Sequence, residues 1–106
     1  MKRYGALVRL RPEAIAEYKR IHAAVWPKVL EQIKRSNISN DTIFLREPAN
    51  LLFGYFEVDD LAASTAYLAD SEIAAEWEAE SAGFFTQLDG RPDQAFVELR
   101  EVFHLD

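Results

Sequence analysis

TIFLREPANLLFGYFEV, residues 42–58, reads as two strands joined by a turn. TIFLRE and LLFGYFEV carry the β-favouring residues, and Pro48–Asn50 supplies the turn signal between them. The pair predicts an antiparallel hairpin in the middle of the chain. What flanks that hairpin then sets the topology.

Upstream, RYGALVRLR predicts a strand over about residues 2–11. Pro12 suits the first turn of a helix, where its missing N–H is not needed, and Glu13 complements the positive end of that helix. From Pro12 to Ser36 the apolar positions follow helical spacing, with Tyr18 and His22 among them. Pro27 interrupts the pattern and biases Trp26 away from helical angles. The expectation is a helix over about 12–24 and a short second one over about 26–36. SNISND is turn-like. Downstream, DDLAASTAYLAD places acids ahead of a helical run, and SEIAAEWEAESAGFFTQL predicts a helix over about 71–88. DGRPDQ is a loop, and AFVELREVFHL alternates as a closing strand.

The order strand, helix, strand, strand, helix, strand is the ferredoxin-like α+β arrangement. It predicts a four-stranded antiparallel sheet with helices on one face. Leu7, Phe44, Phe53, Tyr55, Val97 and Phe103 cannot all point at those helices. The economical cover for the other face is a second copy, sheet against sheet, giving a dimeric α+β barrel with room for a pocket.

Composition narrows the function. The 106 residues allow one domain, spanning 1–106. A net charge of −6 argues against nucleic acid and against an anionic membrane surface, since neither would find a basic patch. There is no cysteine, hence no disulfide frame and no thiolate metal site. Arg9 and Arg11 interrupt the first apolar run, which fails as a secretory signal, and no apolar run is long enough to span a bilayer. A cytoplasmic protein is the expectation. No dinucleotide, phosphate-loop, zinc-protease or nucleophile-elbow motif is present.

The chemistry concentrates in YKRIHAAVWP, residues 18–27, where Tyr18, His22 and Trp26 fall four apart. Tyr18 and His22 share a helical face. An imidazole gives and takes a proton near neutral pH, a phenol hydrogen-bonds an oxygen, and an indole offers an apolar plate. The set suits a small polar ligand with one apolar side, such as a sugar. The competing reading is that the row only caps the core edge of an amphipathic helix. Trp77, in AAEWEAE, is either an anchor of its helix or a stacking surface. Asp41 is a turn residue or a site carboxylate. His104 has no partner at metal spacing and reads as structural or solvent-facing.

EYKRIHAAVWPKV, ISNDTIFL with NLLFGYFEV, and ELREVFHLD together resemble the L-rhamnose mutarotases, which interconvert the α and β anomers of L-rhamnose. The resemblance runs over nearly the whole chain, and its specific part is Tyr-x3-His-x3-Trp-Pro. It implies a dimeric ferredoxin-like fold, a role in rhamnose catabolism and neither metal nor organic cofactor. It implies that His22 matches the proton donor and Tyr18 a sugar-binding tyrosine; Asp41 or Glu76 is then the candidate opposing base or a contact for sugar hydroxyls, and Trp77 or Trp26 the plate for the side that carries the 6-methyl group. Two positions depart from the pattern. Asp41 stands where the family usually has a sugar-binding tyrosine, and Glu76–Trp77 stands where it usually has paired tryptophans. From the fold alone, a cofactor-independent monooxygenase, a haem-handling protein or a non-enzymatic ligand-binding module are the alternatives.

Overall fold

The structure, a computed structural model, describes residues 1–86 and 96–106. Its first strand, β1 (Lys2–Leu10), runs into a 3-10 turn at Pro12–Ala14, and Pro12 sits at the start of that turn. Helix α1 (Ile15–Ala23) follows. The backbone leaves helical space at Ala24, with φ −144, ψ 64, and Trp26, which precedes a proline, is also outside it at φ −56, ψ 129. Pro27 then opens α2 (Pro27–Arg35), where its fixed φ suits the first helical position. The break between the two helices is the one that Pro27 predicts.

The hairpin is formed by β2 (Ser39–Arg46) and β3 (Leu51–Val58), joined through a 3-10 turn at Glu47–Ala49. Asn50 closes that turn in the left-handed region, at φ 55, which asparagine tolerates better than most residues. Two helices follow, α3 (Leu61–Ala69) and α4 (Glu72–Ser81). Each begins on a side-chain cap: Ala63 N–H donates to Asp60 at 3.1 Å, and Ala74 N–H donates to Ser71 Oγ at 3.2 Å. Ser64, buried on α3, donates to the Ser36 carbonyl and so ties α3 to the end of α2.

The sheet runs in the order β2-β3-β1, all antiparallel, with β4 (Phe85–Thr86) and β5 (Phe96–Leu99) both on the free edge of β1. β4 pairs with Arg9 and Leu10, and β5 pairs with Gly5 through Val8. The ferredoxin-like arrangement therefore stands, with its fourth position shared by two short strands. Two expectations need correction. The helix expected to reach residue 88 ends at Ser81, because Phe84 and Phe85 pack against the core and Phe85–Thr86 satisfies the edge of β1. The closing strand expected through Leu105 ends at Leu99; Arg100–Asp106 forms no ladder. The expected DGRPDQ loop, Asp89–Gln94, lies outside the described residues.

Register divides the two faces. Opposed pairs Ala6↔Gly54, Val8↔Leu52 and Leu45↔Leu52 lie on the helix side. Leu7↔Phe53, Phe44↔Phe53, Thr42↔Tyr55 and Leu7↔Val97 lie on the other. Residues alternate faces along a strand, so this division follows from the pairing alone. The core sits on the helix side around Leu10, Tyr18 and Leu52. Leu10 is 0% exposed. Leu10→Ala should lower stability by about 2–5 kcal/mol, the range for truncating a buried leucine that leaves a cavity. A urea-unfolding midpoint that barely moves would contradict this packing.

Candidate active site

Helix α1 presents Tyr18 and His22 on the face that meets the sheet, one turn apart. Their rings stack, with centroids 4.0 Å apart and planes at 25°. His22 Nδ1 lies 3.0 Å from the carbonyl oxygen of Tyr18. A carbonyl oxygen only accepts, so Nδ1 carries the proton and donates. The neutral imidazole then has its lone pair at Nε2. Local helical geometry thus fixes which nitrogen is available for chemistry.

Tyr18 belongs to the core and the site at once. It is buried, packs with Leu10 and Leu52, and meets Phe85 edge-on at 6.2 Å. Burial, reinforced by the charge of Asp41, raises its pKa to about 12. The phenol is therefore neutral at physiological pH and keeps its proton for donation.

His22 also stands at the wall of a cleft of about 730 Å³ between α2, β2 and α4. Val29, Ile33, Ile38 and Ile43 make its apolar wall, and Ser39, Asn40 and Asp41 its polar rim. A second hollow, of about 300 Å³, lies on the other side of His22 and is lined by Tyr18 and Leu52. Asp41 arrives through a β-bulge. The β2–β3 register shifts between Ser39 and Thr42, and Asn40 within it has φ 51. Asn40 Nδ2 and the Tyr55 hydroxyl both donate to Glu57 Oε2 at 3.0 Å, which anchors the bulge on the opposite face. Asp41 keeps solvent access, but the protein packed around its carboxyl impairs hydration and raises its pKa; the charge of nearby His22 opposes that rise.

Trp77, on α4, lines the same cleft and meets His22 edge-on, with ring centroids 5.6 Å apart. Trp26, at the break between α1 and α2, meets Trp77 edge-on at 5.1 Å. It stands behind Trp77 and is not among the residues lining the cleft. Glu76 is exposed, and no described cavity includes it. The structure therefore brings His22, Asp41 and Trp77 to one cleft, sets Tyr18 beneath His22 and Trp26 behind Trp77, and leaves Glu76 outside. The position reads as a helical neighbour of Trp77 in sequence, but one residue along a helix turns about 100° away. His104 is remote from this cleft and contacts Asp106 at 2.8 Å. Among the described residues, no group of three or more His, Asp or Glu side chains is placed to hold a metal ion.

Sequence reasoning missed the cleft's other members, Ser39, Asn40 and the α2 wall. The signal for the wall was present, since Val29 and Ile33 are one turn apart on one helical face. The bulge had only a weak signal, an asparagine at a site that needs a left-handed backbone.

A family model for L-rhamnose mutarotase matches residues 3–105. A protein of that name from Tolumonas auensis is 36% identical over 107 residues, covering 99% of each chain. One from Oceanobacillus iheyensis is 32% identical over 107 residues and the full length of both. The crystal structure of an L-rhamnose mutarotase from Formosa agariphila shares the fold, with a TM-score of 0.81 at 24% identity over 100% of both chains.

Two titrations follow from the site's electrostatics. Subtracting the alkaline absorbance titration of Tyr18→Phe from that of the native protein should isolate a tyrosine that ionises near pH 12. A difference curve centred at the ordinary tyrosine value of about 10 would contradict the buried phenol. For Asp41, a raised folded pKa means that holding the carboxylate charged costs stability once pH exceeds its unfolded pKa, and costs none well below it. Asp41→Asn should therefore raise Tm at pH 7 relative to the native protein and shift it far less near pH 3. A lower Tm at pH 7 would contradict that sign.

Proposed function

The chain belongs to the L-rhamnose mutarotase family, an isomerase family, and from that premise we propose how its own residues interconvert the α and β anomers of L-rhamnose. The family match replaces the haem-handling, monooxygenase and simple binding alternatives that the fold alone left open.

Mutarotation opens a pyranose and closes it again. An acid delivers a proton to the ring oxygen while a base removes the proton of the anomeric hydroxyl. The ring C–O bond breaks, the aldehyde turns about C1–C2, and the ring closes on its other face. The reverse transfers restore both groups, so nothing is consumed and no redox step occurs. His22 is the acid–base group of this reading, working through Nε2 because Nδ1 is committed to the Tyr18 carbonyl. An imidazole, which can both take and give a proton, suits a reaction that must run both ways. That single hydrogen bond is the observation that carries the proposal.

Asp41 is the opposing group. It shares the cleft with His22, whose charge acts on the Asp41 carboxyl. Its raised pKa brings a carboxyl nearer to the range where it exchanges protons. Glu76, the other acid at a family sugar position, lies outside the cleft and has no part in the step. Trp77 offers its ring to the apolar side of the sugar that carries the C6 methyl, and Trp26 holds that ring in place. Tyr18 orients the imidazole by stacking beneath it and offers its neutral hydroxyl to the sugar from the adjoining hollow, which it lines with His22. The reaction belongs to rhamnose catabolism in the cytoplasm, requires no cofactor, and involves neither a membrane nor nucleic acid as partner. The working form is a homodimer paired through the open sheet face, where Phe44 is 61% and Phe53 41% exposed in the single chain.

His22→Asn keeps size and polarity but cannot shuttle a proton near pH 7. It should slow anomer exchange, measured by saturation-transfer NMR with L-rhamnose, by about 10²-fold or more. Tm should move little, because His22 sits at the edge of the core. The opposite pair of results, a clear loss of stability with exchange per folded molecule intact, would make the Tyr18–His22 row ordinary core and end the mechanism.

A further inference from the structure

We infer that Glu57 is a positioning residue: it clamps Asn40 from the open face of the sheet, pins the bulge in β2 and so aims Asp41 at the cleft. The inference rests on the role proposed above for Asp41. Glu57 lines neither the cleft nor the hollow beside His22, so it acts on the reaction only through another residue.

Two registers meet in β2. Ser39 stands opposite Glu57 and Thr42 opposite Tyr55, so Asn40 and Asp41 together face the single residue between them, Phe56. Thr42 and Tyr55 lie on the open face, and alternation then turns Asp41 to the helix side, where the cleft lies. Had the Ser39 register run on, Asp41 would stand opposite Tyr55, on the open face and away from His22. A slip of one residue exchanges the faces of every side chain it reaches. Where the bulge sits therefore decides whether the cleft has its carboxyl.

Backbone preference does not hold the bulge there. Asn40 is at φ 51, a left-handed conformation that asparagine tolerates without favouring. Side chains hold it instead. Asn40 Nδ2 and the Tyr55 hydroxyl each donate to Glu57 Oε2 at 3.0 Å, and Thr42 Oγ1 donates to the Asn40 carbonyl at 3.1 Å. Glu57 is the hub of this set. It is half-buried on β3, a strand paired on both sides, and Tyr55 fixes its carboxylate. β2 is an edge strand, paired on one side only, so its register depends more on such ties. Hydrogen bonds to an ionised acceptor are also the stronger kind.

The test is anomer exchange of L-rhamnose by saturation-transfer NMR, measured per folded molecule. Glu57→Ala should slow exchange about 10-fold, within the roughly 10²-fold that a misplacement of about 1 Å can cost. In Asp41→Asn protein, itself expected to be about 10²-fold slower, the same change should do almost nothing more, because Glu57 works through Asp41. A mere loss of stability or of subunit pairing would slow both backgrounds alike. Asn40→Asp keeps the size and the tolerance for a left-handed backbone but sets two carboxylates against each other. It should slow exchange as Glu57→Ala does. Adding Glu57→Gln should restore most of the rate, since the amide then donates across the clamp while its oxygen still accepts from Tyr55. That pair decides the matter even if Glu57→Ala fails to fold. Unchanged exchange in Glu57→Ala, equal slowing in both backgrounds, or no recovery in Asn40→Asp with Glu57→Gln overturns the clamp and leaves the proposed chemistry standing. Native exchange in Asp41→Asn overturns the role of Asp41 and the clamp together, and leaves that of His22.

Discussion

The site depends on one hydrogen bond, from His22 Nδ1–H to the carbonyl oxygen of Tyr18 at 3.0 Å. It is local, one helical turn long, and it decides the tautomer. With the ring stacked on Tyr18 at 4.0 Å, the imidazole has neither a free torsion nor a choice of working nitrogen. Tyr18 is itself immobilised by Leu10 and Leu52, so the hydrophobic core holds the imidazole indirectly. Packing on the helix side of the sheet and the proton transfer proposed for the cleft in this way rest on the same contacts.

Around that anchor the remaining parts come from elements distant in sequence. The bulge in β2 brings Asp41 to the cleft, and α4 brings Trp77 with Trp26 behind it. Asp41 carries a cost, because the protein around it disfavours its charge. Such a cost fits the role proposed for Asp41, a carboxyl held where packing alone would prefer an uncharged group. Of the two departures from the family pattern, only Asp41 lines this cleft. Asp41 replaces an aromatic side chain with an acid, and Glu76 removes an indole without adding an acid to the cleft. The two substitutions look equivalent in sequence and differ in what they do.

Much of this was legible from the residues. The hairpin at 42–58, the helix break at Pro27 and the Tyr18–His22 face follow from local rules, namely turn chemistry, the fixed φ of proline and helical spacing. The errors came where tertiary pairing overrode local pattern. Phe84 and Phe85 continue an apolar helical run, yet the vacant edge of β1 at Arg9 and Leu10 draws them into the sheet. The alternation of AFVELREVFHL continues past Leu99, yet the ladder does not. The cleft was illegible for the same reason. Its walls meet only after α2, β2 and α4 are packed, and the bulge that aims Asp41 is a property of pairing rather than of one strand.

The most direct measurement is the tautomeric state of His22, read from the ¹⁵N shifts of its two ring nitrogens in the neutral imidazole. The account predicts a protonated Nδ1 and a bare Nε2, with the Nε2 shift moving when L-rhamnose is added. His104 serves as an internal contrast, since its Nε2 is the nitrogen that faces Asp106. A neutral His22 protonated at Nε2, with Nδ1 bare and both shifts indifferent to the sugar, would contradict the account at its centre.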